Sequence, residues 1–438
     1  MKRWELLPPP TSQEVDALSS GLGITKLTAA MLSQRGFKTK QEAQKFLSPK
    51  LSDLQPAMSI PNMDAAVDRI RLACKRQEQV GVFGDYDADG IVGTALLILA
   101  LRELGLDVSY RLPERLTEGY GLSQAGLMDL WRGGAGLIIT VDCGISSLAE
   151  LQWAQRQGLD VIICDHHLPP AILPPATAIL NPKVFQGEDS LKDLCGAGVA
   201  FKLACAIHNS VDQRWLELAA LGTIADVVPL VGENRIIVTH GLKTMGFTEL
   251  LGLKALAEFS QVDLDSVDSG DVAFRLAPRL NAAGRLGSAT PAVELFLADS
   301  ERKAHEIARQ LDCLNRKRQQ IETDVLDQAI TQVERNVDLN KEMAVVVAGE
   351  GWHPGVIGIV ASRLVDKWHR PALVISLLEG IGKGSGRSIP RFSLYKALED
   401  CRTHLTTFGG HRLAAGFTLA KQNLLIFRQA FTSVANSR

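Results

Sequence analysis

Three aspartates occupy alternate positions in the stretch VGVFGDYDADGIVG, which covers residues 80–93. Asp85, Asp87 and Asp89 come directly after the short apolar run VGVF. Carboxylates this close repel one another unless a cation lies between them, so the spacing indicates a cation site. An EF-hand calcium loop also begins D-x-D-x-D-G, but it follows a helix and needs a Glu six residues after the glycine. Leu96 stands at that position, and VGVF is typical of a buried strand, so the EF-hand interpretation fails.

Further acids and two imidazoles follow other apolar runs. Asp142 comes after LIITV, and the motif Asp165-His166-His167 comes after VIIC. The carboxyl ends of strands in an open parallel sheet border the ligand crevice, so we expect these motifs at one rim. Asp226 lies within the apolar stretch LGTIADVVPL, where an acid costs free energy unless it is paired or binds a metal. Any one acid alone could be a helix cap, and Asp89-Gly90 is a good capping sequence.

This ligand set favours a particular chemistry. Carboxylates with one or two imidazoles suit Mn²⁺ or Mg²⁺ better than a structural zinc. Four or five such ligands can hold two ions about 4 Å apart, which activate a water and stabilise both oxygens of a phosphoryl transfer. The sequence therefore predicts a two-metal site.

The elements that position these residues alternate along the chain. From about residue 64, apolar strand-like runs alternate with amphipathic helical segments, which predicts an α/β fold with a parallel sheet covered on both faces. A charged segment at about 300–335 has an apolar stripe typical of one long helix. We expect this helix to bridge two domains rather than to form a coiled coil, because Arg318 interrupts the stripe, and we therefore expect a monomer. A second α/β unit begins at MAVVVAGEGW. The predicted segments are an N-terminal appendage at 1–60, a first domain at 61–290, the connecting helix at 291–338 and a second domain at 339–438.

Composition restricts the compartment and the mode of binding. The chain of 438 residues has a net charge of -2, so phosphate binding requires local Arg and Lys clusters or a metal. Its seven cysteines include no C-x-x-C pair, which favours a reducing compartment, and we expect Cys143 and Cys164 to be buried core thiols. We find no signal peptide and no apolar run long enough for a membrane span, so we expect a cytoplasmic protein.

The motifs GDYDADG, VDCG, DHH and TIADVV resemble, in that order and spacing, the four motifs of the DHH phosphoesterase superfamily. Within it, the chain is most similar to the RecJ family of bacterial single-strand-specific exonucleases. This likeness extends to RLTEGYGLS at 115–123, RLAPRLNAAGRLG at 275–287, GWHPGVIGIVASRL at 351–364 and FGGHRLAAGF at 408–417. The resemblance covers about residues 60–420. It implies a DHH catalytic domain and a DHHA1 substrate-binding domain, joined by the long helix, with an active-site groove between them.

The resemblance implies a ligand assignment. Asp85 and Asp87 would each hold one metal ion, Asp142 would bridge the two ions, and His166 and Asp226 would complete the second site.

It also implies roles for the neighbouring residues. His167 would face the scissile phosphate, where it stabilises charge or helps the leaving group. Asp89 would support the site rather than bind a metal. Many relatives have a His four residues before the first ligating Asp, where this chain has Gly81, so the first metal site is expected to be weaker or to be completed by water.

Basic and glycine-rich segments fit a polymeric substrate. Arg279 and Arg285 flank Asn281 in a segment with little apolar periodicity, which suggests that they line a groove, and we expect Arg115 to join them.

The glycine-rich run GKGSGRS at 382–388 lets backbone approach a phosphate, with Ser385 and Arg387 as donors to a terminal 5′-phosphate. Gly409, Gly410 and His411 would bind the nucleotide near the cleaved bond. A tight turn is the alternative for each glycine run. Base stacking would rest on a few rings, such as Tyr120, Phe408 or Trp352.

These inferences predict a metal-dependent exonuclease that releases 5′-mononucleotides from single-stranded DNA in the 5′-to-3′ direction, for DNA repair and recombination. Its expected partners are single-stranded DNA and a helicase or single-strand-binding protein. One alternative is a phosphodiesterase for short oligonucleotides or cyclic dinucleotides, and another is a non-catalytic replication scaffold with the same fold. Longer family members continue into an oligonucleotide-binding barrel, so we expect a short form or a fragment, with weaker affinity for long strands.

Overall fold

The structure, a computed structural model, describes residues 5–115, 117–119, 121–184 and 191–438. The chain divides into two compact units. The first comprises Met1–Pro113, Tyr120–Asn281 and Ala289–Ala308, and the second comprises Glu114–Gly119, Ala282–Ser288 and Arg309–Arg438.

The first unit begins with three short helices and continues with alternating strands and helices. The helices are α1 Ser12–Leu22, α2 Lys26–Gln34, α3 Lys40–Leu47, α4 Met63–Arg76, α5 Ala88–Glu103, α6 Gln124–Arg132, α7 Leu148–Arg156, α8 Gly196–His208, α9 Gln213–Ala225, α10 Gly232–Met245, α11 Leu251–Ser260, α12 Ser269–Asp271, α13 Ala277–Leu286 and α14 Thr290–Phe296. A π-helical turn, Val272–Leu276, joins α12 to α13. The strands are β1 Gln79–Gly84, β2 Val108–Arg111, β3 Ala135–Val141, β4 Asp160–Cys164 and β5 Ala178–Leu180.

The five strands form one parallel sheet in the order β2-β1-β3-β4-β5. Strands β1, β3 and β4 are buried along nearly their whole length, as expected for a sheet covered on both faces. The chain moves from β1 outward to β2 and then returns to the other side of β1 for β3. In an open parallel sheet, this change of direction leaves a crevice at the carboxyl ends of the two central strands. The sequence-based prediction of a parallel sheet is confirmed, and Cys143 and Cys164 are buried in it.

Helices α1, α2 and α3 form the start of the N-terminal segment and have a small core of their own. Thr11 and Thr39 begin α1 and α3 with capping boxes, in which the threonine side chain and a Glu three residues later satisfy backbone N–H groups reciprocally. The core of the segment is built from Leu18, Ala29, Leu32 and Ala43.

Helix α15, Glu301–Asn336, is 36 residues long and runs from the first unit into the second. It lies inside the range 291–338 predicted for the connecting helix, while α14 occupies the start of that range. None of the helices in the described part of the chain combines the length and the apolar character that crossing a membrane requires.

The second unit contains a mixed sheet and three further helices. The strands are β6 Val345–Glu350, β7 Ala372–Leu378, β8 Ile381–Arg387, β9 Thr407–Gly410 and β10 Ala414–Ala420, and the helices are α16 Ile357–Trp368, α17 Leu394–Asp400 and α18 Leu424–Asn436. The strand order is β6-β7-β8-β10-β9, with only β6 and β7 parallel. The prediction of two α/β domains joined by a long helix is confirmed.

The glycine-rich run at 382–388 is neither a turn nor a loop but forms most of strand β8. A Cβ atom at Gly384 would lie 2.1 Å from Cζ of Phe417, and one at Gly386 would lie 2.5 Å from a methyl group of Leu373. The glycines are therefore required because core side chains occupy the space above them. This corrects the interpretation of the run as backbone that approaches a phosphate or turns tightly.

Candidate metal centre

The parallel sheet brings three acidic motifs to one rim. Asp85 follows β1, Asp142 follows β3, and the motif beginning at Asp165 follows β4. Strands β1 and β3 are direct neighbours, and β4 pairs with β3 on its far side. The crevice at the β1/β3 change of direction is thus lined by carboxylates, at the position where such sheets bind ligands.

Helix α5 fixes the first motif. The carboxylate of Asp87 accepts hydrogen bonds from the N–H groups of Asp89 and Gly90, at 3.1 and 3.2 Å, and so caps the helix. A Cβ atom at Gly90 would lie 2.6–2.8 Å from backbone atoms of Asp85, so only glycine allows the helix to start this close to β1. The amide oxygen of Asn281 accepts from the N–H of Ala88 at 2.9 Å and adds a second cap from α13.

Helix α8 approaches the second motif in the same way. Asp142 has a φ of 63°, a left-handed conformation that is strained for an aspartate and often marks a functional site. A Cβ atom at Gly196 would lie 2.5 Å from Cβ of Asp142, so glycine is required there as well. Asp89 is buried and accepts from the N–H groups of Gly196 and Ala197 at 2.7 and 2.9 Å. Its carboxylate caps α8. The prediction that Asp89 supports the site rather than binding a metal stays a prediction.

The remaining acid and the imidazoles complete the cluster. Asp226 ends helix α9, and its Oδ2 lies 3.6 Å from Nε2 of His166. The same nitrogen lies 3.1 Å from Oδ1 of Asp142. The described residues include three groups of candidate ligands, and inside each group the ligand atoms lie within 4.8 Å of one another. The groups are Asp85 with Asp87 and Asp142, Asp142 with His166 and His167, and Asp89 with His166 and Asp226.

The electrostatics of the cluster are those of crowded, buried carboxylates. Burial, together with the charges of the neighbouring aspartates, raises the pKa of Asp142 well above its ordinary value. Burial and then the charge of Asp89 raise the pKa of Asp226 to about 7, although His166 opposes this. Burial also raises the pKa of Asp89 to about 6 and lowers the pKa of His166 to about 4. The metal-free carboxylates of Asp142 and Asp226 therefore bind protons more tightly than ordinary aspartates do, and a divalent cation would compete with those protons.

These residues fit a pair of hard divalent ions. The donors are carboxylate oxygens with imidazole nitrogens, the set that Mn²⁺ and Mg²⁺ accept. His166 is 7% exposed, and neither of its ring nitrogens makes a hydrogen bond to the described residues. A buried imidazole without such a bond, beside two carboxylates, is suited to binding a metal ion.

Asp165 contributes in a way that sequence reasoning missed. It is buried, and its two oxygens accept from the N–H groups of Ile145, His166 and His167, at 2.7–3.1 Å. Oδ1 also lies 2.7 Å from Nδ1 of His167. Burial raises the pKa of Asp165, but the hydrogen bond from His167 and the backbone donors outweigh it, so this pKa falls below its ordinary value. Asp165 is thus an ionised anchor that orients the imidazole of His167.

The pKa of His167 is raised as a result. Burial lowers it, but the hydrogen bond and the charge of Asp165 act more strongly in the opposite direction. Asn181, which follows β5 and is fully buried, donates from Nδ2 to the backbone oxygen of His167 at 2.9 Å and accepts from the N–H of Lys183. A buried amide at a strand end, in the sequence TAILNP, was a signal that could have identified Asn181 as part of the site.

The substrate-binding residues predicted on helix α13 make backbone contacts. Arg279 donates to the carbonyl oxygens of Arg275 and Phe259, at 2.6 and 3.2 Å. Asn281 caps α5 next to the cluster, as described above. Arg285 belongs to the second unit and donates to the backbone oxygen of Gly355 at 3.2 Å.

In the second unit, Ser385 and Arg387 lie on the face of β8 opposite the core glycines, and Nη1 of Arg387 donates to Oγ of Ser385 at 3.3 Å. A Cβ atom at Gly358, in the first turn of α16, would lie 3.1 Å from both side chains. Burial and then the charge of Arg115 lower the pKa of Arg387, so these two guanidinium groups influence each other. The structure thus brings together Ser385 and Arg387, and Arg115 is near enough for its charge to act on Arg387.

The other predictions in the second unit have mixed outcomes. Gly409 and Gly410 end the edge strand β9, and they and His411 are exposed. Phe408 is half-buried and packs on Tyr395, with 5.7 Å between the ring centroids. Trp352 is 3% exposed and donates to Oε1 of Gln328 at 2.9 Å, so the prediction that it stacks on a base is wrong.

Tyr120, the third ring predicted to stack on bases, lies outside the described residues.

Comparison with known protein families agrees with this geometry. The model of the DHH family, N-terminal domain, matches residues 79–223, which contain β1 to β5 and three of the four acidic motifs. The model of the DHHA1 domain matches residues 340–437, which contain the mixed sheet.

Curated relatives narrow the assignment. The single-stranded-DNA-specific exonuclease RecJ of Bacillus subtilis is 43% identical over 438 residues, which cover 99% of this chain and 55% of that protein. RecJ of Dickeya dadantii is 38% identical over 93% of this chain and 74% of its own length. RecJ of Escherichia coli is 37% identical over 92% of this chain and 74% of its own length. The chain belongs to the RecJ family. It spans about half the length of the Bacillus subtilis relative.

Solved structures of the RecJ family match as well. RecJ from Thermus thermophilus in complex with Mn²⁺ matches with a TM-score of 0.87 and 33% identity, covering 100% of this chain and 63% of that chain. An exonuclease RecJ bound to manganese matches with a TM-score of 0.78 and 36% identity, over 88% and 96% of the two chains. Thermus thermophilus RecJ is also known in complex with Mg²⁺. The family therefore binds the ions for which the cluster is suited.

Proposed function

We propose that this chain is a metal-dependent exonuclease specific for single-stranded DNA, which releases 5′-mononucleotides in the 5′-to-3′ direction by hydrolysis of the phosphodiester bond. The observation that carries the proposal is the buried cluster of carboxylates and imidazoles at the β1/β3 crevice. Relatives that are 37–43% identical to this chain over the aligned residues are named single-stranded-DNA-specific exonucleases.

The ligands divide between two ions. Asp85 and Asp87 would each hold one metal ion, Asp142 would bridge the two ions, and His166 and Asp226 would complete the second site. The grouping of Asp85, Asp87 and Asp142 within 4.8 Å supports the first part of this assignment. Two such ions, when bound, supply an activated water and stabilise the charge that develops on the phosphate.

The protein itself supplies orientation and a proton. Asp165 holds Nδ1 of His167 at 2.7 Å, which fixes the ring and leaves proton exchange with a substrate oxygen to Nε2. The raised pKa of His167 favours its protonated form, which can stabilise charge on the scissile phosphate or donate a proton to the leaving oxygen. Asn181 and Asp165 together fix the backbone that carries this histidine.

A terminal phosphate would bind in the second unit. Ser385 and Arg387 adjoin Gly358 in the first turn of α16. The N-cap residue of that helix is Val356, and among the described residues no side chain accepts a capping hydrogen bond from the first N–H groups of the helix. Helix N-termini and arginine side chains both bind phosphate, and the repulsion between Arg115 and Arg387 is relieved by an anion. This site gives the proposed enzyme its requirement for a 5′ end, and we assign Gly409 to His411 to the nucleotide beside it.

The proposed partner is single-stranded DNA, supplied in the cell by a helicase or protected by a single-strand-binding protein, and the proposed state is a monomer in the cytoplasm. A sedimentation mass of twice the chain would contradict the monomer.

The test is Mn²⁺-dependent digestion of a 5′-phosphorylated single strand of about 20 nucleotides, longer than a typical single-strand binding site, labelled separately at each end. The matched duplex, a dinucleotide and an Asp87→Ala protein are digested beside it. We expect early release of the 5′ label as a mononucleotide, an intact duplex and an inactive Asp87→Ala protein. Cleavage of the dinucleotide alone would instead support an oligonucleotide phosphodiesterase, and an absence of any cleavage would support a scaffold.

A further inference from the structure

The segment that follows Asp226 lies at the surface. The N–H of Asp226 donates to the carbonyl oxygen of Gly222 at 2.9 Å, so helix α9 holds its backbone from one side. Val227 then adopts a φ of 59° with its side chain 84% exposed, and Pro229 is exposed as well. Because these apolar side chains are not buried, a contact from elsewhere has to hold the chain beyond Asp226 in place.

Asn234, in the first turn of α10, makes that contact. It is 1% exposed, and its Nδ2 donates to the carbonyl oxygens of Pro229 at 3.0 Å and Asp193 at 2.6 Å. Both neighbours are acceptors, so the amide nitrogen and not the amide oxygen must face them. One side chain therefore ties the segment after Asp226 to the segment before helix α8.

The other end of this link also leads into the metal cluster. Asp193 lies two residues before the N-cap of α8, and the first two N–H groups of α8 donate to Asp89 at 2.7 and 2.9 Å. Asp89 and Asp226 belong, with His166, to one group of ligand atoms within 4.8 Å of one another. Asn234 thus connects the two backbone segments that determine the spacing of these carboxylates.

The first turn of α10 is itself a fixed platform. Glu233 and Lys202 are 1% and 2% exposed and form an ion pair at 2.9 Å. The same two side chains bind the backbone of Gln55, because its N–H donates to Glu233 at 2.5 Å and its carbonyl oxygen accepts from Lys202 at 2.6 Å. On the other side, the guanidinium of Arg235 lies 3.7 Å above the ring of Phe46. The N-terminal segment therefore packs against the first turn of α10, which carries the side-chain amide of Asn234.

We propose that Asn234 is a positioning residue for the metal cluster, which acts through the carbonyl groups of Pro229 and Asp193 to keep Asp226 at the correct distance from its neighbours. Its two side-chain hydrogen bonds within the described part of the chain go to backbone oxygens of Pro229 and Asp193, and neither residue is a proposed metal ligand. The proposal rests on the proposed metal-dependent function, and it extends the site from the rim of the sheet to α10 and the N-terminal segment.

The experiment measures Mn²⁺ binding by the full chain, from the loss of the electron paramagnetic resonance signal of free Mn²⁺ during titration. Asn234→Asp keeps the shape of the side chain but turns carboxylate oxygens toward two carbonyl oxygens. Ile237→Ala is the matched control, because Ile237 is fully buried in the same helix and its loss destabilises the core without changing a polar contact. Thermal melting of each protein shows whether the two variants are equally destabilised.

We expect two bound ions in the unchanged protein, and about 10–100-fold weaker binding of one of them in Asn234→Asp, the range typical of residues that orient ligands. Ile237→Ala should bind both ions as the unchanged protein does. If Asn234→Asp does not fold, Asn234→Ala removes the donor without adding charge and is expected to weaken the same ion.

Three results would overturn the proposal. The first is unaltered Mn²⁺ binding by the folded Asn234 variant. The second is an equal loss of binding in Ile237→Ala, which would assign the effect to stability alone. The third is the absence of Mn²⁺ binding by the unchanged protein, which would overturn the proposed function together with this inference, whereas the first two leave the proposed function intact.

Discussion

The stability of the metal-free protein should fall as the pH rises from 6.5 to about 8, and Mn²⁺ should remove this fall. The pKa of Asp226 is raised to about 7 and that of Asp89 to about 6, both from 3.8. A folded-state pKa above the unfolded value means that the folded protein holds the proton more tightly. The resulting stabilisation is complete at low pH and is lost as the pH rises through the folded pKa.

The two histidines act in opposite directions in this window. His166 has its pKa lowered from 6.5 to about 4, so its unfolded form still loses protons between pH 6.5 and 8, which adds about 0.4 kcal/mol of stability. The pKa of His167 is raised, so its contribution is lost in the same direction as that of the acids. From the linkage relation, Asp226 loses about 0.8 kcal/mol between pH 6.5 and 8, and Asp89 loses about 0.2 kcal/mol. Asp142, whose pKa is raised further, adds to this loss.

The assay is thermal unfolding after treatment with a chelator, at several pH values. The net loss from Asp226, Asp89 and His166 is about 0.6 kcal/mol, to which Asp142 and His167 add, and it corresponds to a fall of about 1–2 °C in the melting temperature for a domain of this size. Mn²⁺ at 100 times its dissociation constant should raise the stability by about 2.7 kcal/mol, and more strongly at higher pH because the bound carboxylates are ionised. Asp226→Asn is the control, since it removes the titrating carboxyl group with the larger expected loss of stability. A metal-free melting temperature that stays constant or rises over this range, or an unchanged slope in Asp226→Asn, would refute the electrostatic account.

Three further predictions concern single residues. Asp165→Asn should lower kcat roughly 10²–10⁴-fold because His167 loses its ionised partner, while titration still finds two Mn²⁺ ions; unaltered turnover would contradict this. Gly384→Ala should lower the free energy of unfolding by about 1–3 kcal/mol in chemical denaturation, because its Cβ would lie 2.1 Å from a core ring, whereas Gly416→Ala, with its nearest atom at 3.9 Å, should have little effect. Lys202→Met should cost about 3–5 kcal/mol, since it leaves a buried carboxylate unpaired, and an equally stable variant would argue against the ion pair.

The clustering of the candidate ligands could be predicted from the sequence because their positions follow from local patterns. Asp85 and Asp142 each come directly after a buried apolar strand, and parallel strands carry such residues to one rim. The residues that hold them could not be predicted in this way. Asp165 bonds to the N–H of Ile145, twenty residues earlier, and Asn234 bonds to Asp193, at a separation of 41 residues. No periodicity within the sequence specifies such pairs, because each depends on how two distant segments pack.

The glycine-rich run failed as a prediction for a related reason. Glycine is common in turns and phosphate loops, so GKGSGRS indicates a loop as long as its neighbours are unknown. In the folded protein, the rings and methyl groups of other strands occupy the volume that side chains at Gly384 and Gly386 would need. Trp352 is a parallel case, since an aromatic residue in a glycine-rich segment is as suitable for a core as for a base. In both cases, packing against residues distant in the sequence determines the role of the residue.

The arrangement also explains how the fold tolerates so many acids before a metal binds. Asp87 caps helix α5, and Asp89 caps helix α8, so the positive ends of two helices offset these two charges. Asp165 is offset by backbone N–H groups and by His167. Burial and the charges of neighbouring aspartates raise the pKa values of Asp142 and Asp226 further, to well above the ordinary value and to about 7 respectively. The protein can therefore fold with protons on these two carboxylates, and an arriving divalent ion exchanges for those protons rather than for a structural contact.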